Sequence, residues 1–279
     1  MIPFDFTYCR VNTLAEAMEA YVQLTAEGKK AFWYAGGSEI ITMSRAGSIR
    51  PGAVIDIKEI PECNELRLDG ETLHIGAAVT LNAVKESNLF PLLGLACARI
   101  ADHTNQCRIT LGGNLCGTIL YRETSMPLLL ADARITLCGP FGIRTLAFQD
   151  AFQRRMKLMP GELVVQVHIP SWSLTARHFH AKKTANEKID YPLVSLCALF
   201  RGDYLCAAFS GVCPFPFRCG QIEAVLNDRS LPPEVRAEKA LKLLPSQPHS
   251  DVEASGAYRL FVLKNTLTAL LEDWEHGAL

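Results

Sequence analysis

The stretch Phe32–Ile41 constrains this chain most, because it runs from an aromatic segment through a glycine pair into a polar step and apolar residues. It predicts a strand, a tight turn and a helix start in succession. Glycine at both central positions lets the backbone adopt positive φ and leaves no Cβ in front of the amides. Successive N–H groups could then converge on an anion, although the same pattern also fits an ordinary turn.

A second glycine pair lies in Thr110-Leu-Gly-Gly-Asn, and we interpret it as another tight turn. Two such turns favour two contacts with one elongated ligand over two unrelated turns. Neither pair completes the Gly-x-Gly-x-x-Gly fingerprint, and the phosphate-binding Gly-x-x-x-x-Gly-Lys-Ser/Thr is absent from the sequence. A dinucleotide bound here would therefore be held by another fold.

Composition limits the class of protein. The 279 residues are 49% hydrophobic, enough for two ordinary domains, and the net charge of −1 argues against a nucleic-acid binder. No apolar run approaches the roughly 18 residues of a membrane span, and the start lacks a secretory signal, so we expect a cytoplasmic protein. The ten cysteines form no Cys-x-x-Cys pair, which predicts reduced, buried thiols and neither a zinc site nor an iron–sulfur cluster.

Periodicity predicts an α+β chain in two parts. Thr13 caps a first helix, Asp69-Gly70 turns a hairpin, and a β-branched strand runs from Glu162 to Pro170. A polar linker, 171–177, then precedes a second part in which strands come first and helices follow.

Hydrolytic motifs are missing from the sequence, which has neither Gly-x-Ser-x-Gly nor His-Glu-x-x-His. His178 and His180 alternate along a predicted strand, where they are either metal ligands or, more commonly, surface residues. We assign no metal site and no catalytic residue.

Several segments together resemble one family. They are Ala35-Gly-Gly-Ser-Glu-Ile, Val54-Ile-Asp-Ile-Lys-Glu-Ile, Leu73-His-Ile-Gly-Ala-Ala-Val-Thr, Thr110-Leu-Gly-Gly-Asn-Leu, Val167-His-Ile-Pro and Ser255-Gly-Ala-Tyr-Arg. In this order they resemble the FAD-binding medium subunits of molybdenum hydroxylases of the xanthine dehydrogenase, carbon monoxide dehydrogenase and aldehyde oxidoreductase type.

The resemblance implies a fold and a domain division. Residues 1–172 would form a two-subdomain FAD-binding domain of the PCMH/VAO-like type, with subdomains of about 1–52 and 53–172. Residues 176–279 would form a smaller α+β domain like the C-terminal domain of carbon monoxide dehydrogenase flavoproteins.

The resemblance also implies cofactor contacts. The backbone of the first loop would wrap the FAD diphosphate, Glu123 would bind the sugar part in place of the family's usual Asp, and Val164 and Ile100 would lie on opposite faces of the flavin. Core packing is the alternative for Val164 and Ile100. Lys182 would lie near the flavin and Tyr191 would stack on it. The complete implied set is Ala35, Gly36, Gly37, Ser38, Glu39, Ile40, Ile100, Thr110, Gly113, Asn114, Glu123, Val164 and Lys182.

Two segments depart from the family pattern. Thr104-Asn-Gln-Cys replaces a Gln-Ile-Arg-Asn run, and Ile119-Leu-Tyr-Arg replaces a small, often polar segment. The resemblance places both near the flavin, so FAD orientation, the electron acceptor or cofactor retention could differ here.

The function implied by the resemblance is electron transfer through FAD, from the clusters of a 2Fe–2S small subunit to an acceptor such as NAD⁺. A large subunit with the molybdenum cofactor would oxidise the substrate, for which the resemblance to xanthine dehydrogenase suggests a purine such as xanthine. Two alternatives stay open: a free-standing FAD oxidase, and a non-catalytic accessory protein that has kept the fold.

Overall fold

The computed structural model describes residues 2–277. Met1, Ala278 and Leu279, at the outer ends of the two predicted domains, lie outside the described residues. The elements of the first part are β1 (Thr7–Arg10), α1 (Leu14–Ala26), β2 (Ala31–Tyr34), α2 (Ser38–Arg45), β3 (Ala53–Asp56), α3 (Pro61–Asn64), β4 (Leu66–Asp69), β5 (Thr72–Gly76), α4 (Leu81–Ser87), α5 (Pro91–Cys97), α6 (His103–Gln106), α7 (Leu111–Cys116), α8 (Ser125–Leu130), β6 (Arg134–Gly139), β7 (Gly142–Ala147), α9 (Phe148–Ala151), β8 (Phe152–Gln153), β9 (Arg155–Met156) and β10 (Leu163–Pro170).

The second part begins after a 3₁₀ turn at Ser171–Ser173. Its elements are β11 (His178–Thr184), β12 (Pro192–Arg201), β13 (Tyr204–Ser210), β14 (Phe217–Arg218), α10 (Gly220–Leu226), α11 (Pro233–Leu241) and α12 (Gly256–Glu275). Strands precede helices, as expected. The segment predicted as a polar linker is packed against the protein, since Ser173 and Leu174 are buried.

The first sheet is parallel, with strand order β1-β3-β2. The predicted first helix is confirmed, because Thr13 Oγ1 accepts a hydrogen bond from Glu16 N at 3.1 Å and caps α1. The carboxyl ends of parallel strands meet at one edge of a sheet. The glycine loop that follows β2 therefore lies beside the residues that follow β3.

The second sheet has the order β4-β5-β10-β6-β7, and each pair is antiparallel. The hairpin predicted at Asp69-Gly70 is confirmed, with Gly70 at φ 55°. Side chains alternate across this sheet, so Leu73, Ile75 and Ile135 enter the core and the intervening positions form a polar face.

The third sheet has the order β11-β12-β13-β14 and connects the two parts of the chain. One face of β12 and β13 joins the core of the first part through Cys197, Leu199 and Ala208. The opposite face packs against α10, α11 and α12 around Leu196 and Phe209. β12 is buried on both faces because it lies between these two cores.

All ten cysteines are unpaired thiols, six of them buried, so the prediction of free thiols is confirmed. Within residues 2–277, no helix combines the length and the apolar character needed to cross a membrane.

Arg259 fastens α12 to the third sheet. Its buried guanidinium donates hydrogen bonds to the carbonyls of Pro192, Leu193 and Gly211 at 2.9 to 3.0 Å, and to Asp251 Oδ1 at 2.7 Å. Burial alone would raise the pKa of Asp251, but the hydrogen bond and charge of Arg259, together with the backbone N–H groups of Ala254 and Glu253, outweigh it and lower the pKa to about 2. The stability that this carboxylate contributes is therefore present above its unfolded pKa and is lost as the pH falls toward 2.

We expect Arg259→Leu to lower the free energy of unfolding by about 3 kcal/mol, because it leaves three buried carbonyls without their donor and the part-exposed Asp251 without its partner. Lys264→Met is the matched control on the same helix, since Lys264 pairs with the exposed Glu238 and its loss should change little. Urea unfolding of both variants measures the difference. An equal loss of unfolding free energy in the two variants would contradict the role given to Arg259.

Candidate cofactor site

The first glycine loop carries a set of unbonded backbone amides at the start of α2. Gly37 has φ 71°, in the left-handed region, and no side chain caps the helix. The first helical hydrogen bond runs from Ile41 N to Gly37 O at 2.8 Å. Within residues 2–277, the N–H groups of Ser38, Glu39 and Ile40 have no acceptor, so they are available to an anion at the positive end of the helix.

The second glycine pair is part of a helix, so its prediction as a tight turn is wrong. Thr110 caps α7, and its Oγ1 accepts from Gly113 N at 3.2 Å. The amides of Leu111 and Gly112 donate to the carbonyls of Val79 and Ala77, each at 2.9 Å. Protein acceptors occupy these amides, which leaves only side chains and the exposed surface of Gly113 for a ligand.

Close packing at Gly112 explains why the second pair needs glycine. A Cβ on Gly112 would lie 2.6 Å from the Cβ of Ala77, so glycine lets α7 approach the segment after β5 closely. The sequence pattern predicts backbone freedom at this pair. In the structure, glycine at position 112 instead allows close packing.

The two loops meet and form one surface, which we call the clamp and define as residues 35–40 and 108–118. A Cβ on Gly36 would lie 1.8 Å from Arg108 O, so only glycine allows this contact. Both carboxylate oxygens of Glu39 lie 2.9 Å from Thr118 N. The expectation that the two glycine loops lie together is thus met. The side chain of Glu39, however, accepts its hydrogen bond from the second loop.

Lys58 is a cation at the rim of the clamp that the sequence analysis did not single out. Its Nζ donates to Ala35 O at 3.3 Å and to Asp56 Oδ2 at 2.5 Å, and it lies 4.8 Å from the centre of the Tyr34 ring. Burial would raise the pKa of Asp56, but hydrogen bonds from Lys58 and Tyr8 outweigh it and lower the pKa. Its position just after β3, at the edge where β2 also ends, is the signal that could have identified Lys58.

Glu123 and Lys182 form a buried ion pair at 3.0 Å between the two parts of the chain. Lys182 Nζ also donates to Arg99 O at 2.6 Å, and Ser195 Oγ donates to the second oxygen of Glu123. Burial raises the pKa of Glu123, against the opposing effect of Lys182. Both carboxylate oxygens are engaged, so a bond from Glu123 to a cofactor hydroxyl would have to replace one of these contacts.

The other predicted contact residues are held by protein neighbours. Asn114 Oδ1 accepts from Thr124 Oγ1 at 2.6 Å. Val164 is buried in the core of the first part, and Ile100 packs against the same core while staying half-buried. Tyr191 stacks on the ring of Tyr121, with centroids 5.1 Å apart.

The two departing segments have defined structures. Thr104–Cys107 lies on and just after α6, whose N-terminus is capped by Asp102. Arg122 is buried at φ 30° and donates to Gly117 O at 2.7 Å and to Arg154 O at 3.1 Å. Burial lowers the pKa of Arg122. The bond from its guanidinium to Gly117 O supports the end of the clamp.

Residues 4–172 match the family described as FAD binding domain in molybdopterin dehydrogenase. The chain belongs to this family. Its cofactor is FAD, and the chain is the flavoprotein component of an oxidoreductase. The free amides of the first loop fit the diphosphate of this cofactor, because an anion there would receive N–H groups that no protein atom uses.

Known relatives agree with this assignment. The chain is 27% identical over 290 residues to the xanthine dehydrogenase FAD-binding subunit of Escherichia coli O157:H7, covering 97% of this chain and 96% of that protein. Carbon monoxide dehydrogenase from Hydrogenophaga pseudoflava matches with a TM-score of 0.85 and 24% identity, covering 96% of each chain. Quinoline 2-oxidoreductase from Pseudomonas putida 86 matches with a TM-score of 0.84 and 23% identity, covering 99% of this chain and 98% of that one. The structural matches confirm the α+β fold of the FAD-binding subunit.

We expect three glycine variants to separate packing from cofactor approach. Gly36→Ala should lower both thermal stability and FAD content, since its Cβ would displace Arg108. Gly113→Ala should reduce FAD content with little change in stability, because the nearest atom to its Cβ is Thr110 Oγ1 at 3.0 Å. Gly220→Ala, with nothing within 4 Å, is the control. Flavin absorbance per chain and the unfolding temperature are the measurements, and a Gly36→Ala protein with unchanged values would refute the contact.

Lys58→Met should weaken FAD binding by about tenfold, because a charge-assisted hydrogen bond contributes roughly 1.5–3 kcal/mol. Lys30→Met is the control, since Lys30 precedes the opposite end of β2. The dissociation constants come from fluorescence titration of the flavin-free chain with FAD. Equal constants for the two variants would remove Lys58 from the site.

Proposed function

We propose that this chain is the FAD-binding electron-transfer subunit of a molybdenum hydroxylase complex. It would take electrons from the iron–sulfur clusters of a 2Fe–2S small subunit and pass them to NAD⁺. The observation that carries the proposal is the set of free amides at Ser38, Glu39 and Ile40, beside a second loop, in a chain that aligns along its length with a xanthine dehydrogenase FAD-binding subunit.

The clamp would hold the diphosphate through backbone N–H groups of the first loop, with Lys58 adding positive charge at its rim. We further propose that the side of the clamp formed by Thr110, Gly113 and Asn114 contacts the cofactor. The remaining proposed contacts, nearer the flavin, are Ile100, Glu123, Val164 and Lys182. For Glu123 and Lys182 the support is indirect, since both are satisfied by protein partners.

The domain division proposed is 1–172, with subdomains of about 1–52 and 53–172, followed by 176–279. The match of residues 4–172 to the FAD-binding family supports the first boundary. A separate core around Val11, Ala17 and Leu24 supports the first subdomain, although this core also includes Ile55 and Val165, which lie beyond residue 52.

Bound FAD would supply the ability to accept electrons singly and to release them as a pair. The chain's own residues have the tasks of binding and orientation. The Lys182–Glu123 pair and the hydrogen bond from Lys182 to Arg99 O fix β11 against the residues that follow α5 and those that precede α8. Arg122 and Glu39 hold the clamp together from both sides.

Partners and substrate follow from the proposed role. Within residues 2–277, no three His, Cys, Asp or Glu side chains are placed to hold a metal, so the iron–sulfur clusters and the molybdenum would belong to other chains. We propose a purine such as xanthine as the substrate of the complex, on the similarity to the E. coli subunit. The unpaired thiols support a reducing compartment, and we propose the cytoplasm.

Affinity purification of the chain at native expression levels, followed by metal and flavin analysis, tests this function. We expect co-purifying chains that bring molybdenum and iron, one FAD per chain, and xanthine-dependent NADH formation by the complex. The isolated chain should hold FAD and leave xanthine unoxidised.

Two outcomes would replace the proposal. Reduction of the flavin by a small substrate in the isolated chain would identify a free-standing oxidase. A purified chain without flavin absorption bands, and unable to bind added FAD, would identify a non-catalytic accessory protein.

A further inference from the structure

The polar face of the second sheet brings two histidines together far along the chain from the clamp segments. His74 on β5 and His168 on β10 are directly paired across the antiparallel strands. Their Nδ1 atoms lie 3.0 Å apart, and their rings are nearly perpendicular. Both histidines are half-buried.

A third donor atom points at the same place. Gln166 Oε1 lies 3.3 Å from His74 Nδ1. The Nε2 group of Gln166 donates to Glu65 Oε2 at 2.6 Å and to Glu62 O at 3.4 Å. Because both of these partners are acceptors, the amide orientation is fixed, with its oxygen toward the histidines.

We propose that this cluster, His74, His168 and Gln166, binds a divalent transition-metal ion of the Ni²⁺ or Cu²⁺ type through two imidazole nitrogens and one amide oxygen. The two Nδ1 atoms are 3.0 Å apart. An ion about 2.0–2.1 Å from both would therefore have an Nδ1–ion–Nδ1 angle of roughly 90°. Such an angle, with nitrogen and oxygen donors, suits the tetragonal sites of these two ions. Rotation of both rings out of their shared hydrogen bond would direct their lone pairs to a common point, and water would complete the coordination.

Without the ion, the same atoms share a proton. The amide oxygen can only accept, so His74 Nδ1–H is its donor, and His168 Nδ1 lies within reach of the same hydrogen. On binding, the ion would take the place of that hydrogen, and His74 would carry its proton on Nε2. The ligand atoms are therefore already held at the distances that the ion requires.

Thr136 favours the tautomer of His168 that a metal needs, with the proton on Nε2 and the lone pair on Nδ1. Thr136 Oγ1 lies 2.7 Å from His168 Nε2 and can accept its N–H, while Thr136 also bonds to Thr145 at 2.8 Å. A ligating histidine commonly donates its second N–H in this way, which leaves the other nitrogen free.

Nearby charges act in both directions. Burial, followed by the neighbouring His74 and Arg134, lowers the pKa of His168 to about 4, while Glu65 opposes the shift. Arg67 is paired with Glu65 and Asp69, which leaves Arg134 as the main cation that repels an ion here.

Calorimetric titration of the full chain with NiCl₂, and electron paramagnetic resonance with CuCl₂, test the site. We expect one ion per chain, with nitrogen hyperfine structure from two imidazoles in the copper spectrum. His74→Gln and His168→Gln should each weaken binding by more than tenfold, and Thr136→Val, which removes the supporting hydroxyl, by about 10–100-fold. His276→Gln, at an exposed position after α12, is the matched control.

Flavin absorbance and the unfolding temperature of each variant show whether it has folded, and they keep the result separate from the proposed electron-transfer function. Unchanged nickel affinity in folded His74→Gln and His168→Gln proteins would overturn the site. So would a copper spectrum without imidazole nitrogens, or an equal loss of affinity in His276→Gln.

Discussion

The proposed cofactor site depends on one close backbone contact. Gly36 lies against the carbonyl of Arg108, where any side chain would lie within bonding distance of an oxygen. This contact brings the N-terminus of α2, with its unbonded amides, beside the segment that leads into α7. The hydrogen bonds from Thr118 N to Glu39 then fix the other end of the same interface. Together they build one surface from two segments whose contacting residues, Glu39 and Thr118, are 79 residues apart in the chain.

The two parts of the chain are united in a comparable way, by satisfied polar groups inside apolar packing. Glu123 from the first part meets Lys182 and Ser195 from the second, and every oxygen of the carboxylate has a partner. Around this pair, Cys197 and Leu199 on β12 continue the core that begins with the second sheet. Removing either charge would leave its partner buried and unpaired, so the pair holds the two parts of the chain in a fixed arrangement at this junction.

Much of the fold could be predicted from local patterns. Thr13 caps α1, Asp69-Gly70 turns the hairpin, and the β-branched run 163–170 forms β10, because each depends on residues close in sequence. The prediction of a turn at the second glycine pair is wrong, because the pair lies in α7. Its amides are bonded to Ala77 and Val79, more than thirty residues earlier, and that pairing arises only when the chain has folded.

The site was predictable only in part for the same reason. The free amides of the first loop follow from a local motif, and the family resemblance placed the second loop beside it. Lys58 was missed because its role depends on the parallel pairing of β2 with β3. The pairing of Glu123 with Lys182 joins positions 59 residues apart, so no spacing rule could indicate it.

The central claim is that the amides at the start of α2 hold the cofactor diphosphate while those at the start of α7 serve the fold. Hydrogen–deuterium exchange of the chain with and without FAD tests it most directly. The account predicts that FAD slows exchange at Ser38, Glu39 and Ile40 and leaves Leu111, Gly112 and Gly113 protected to the same degree in both states. Equal exchange at residues 38–40 with and without FAD, or new protection confined to residues 111–113, would contradict it.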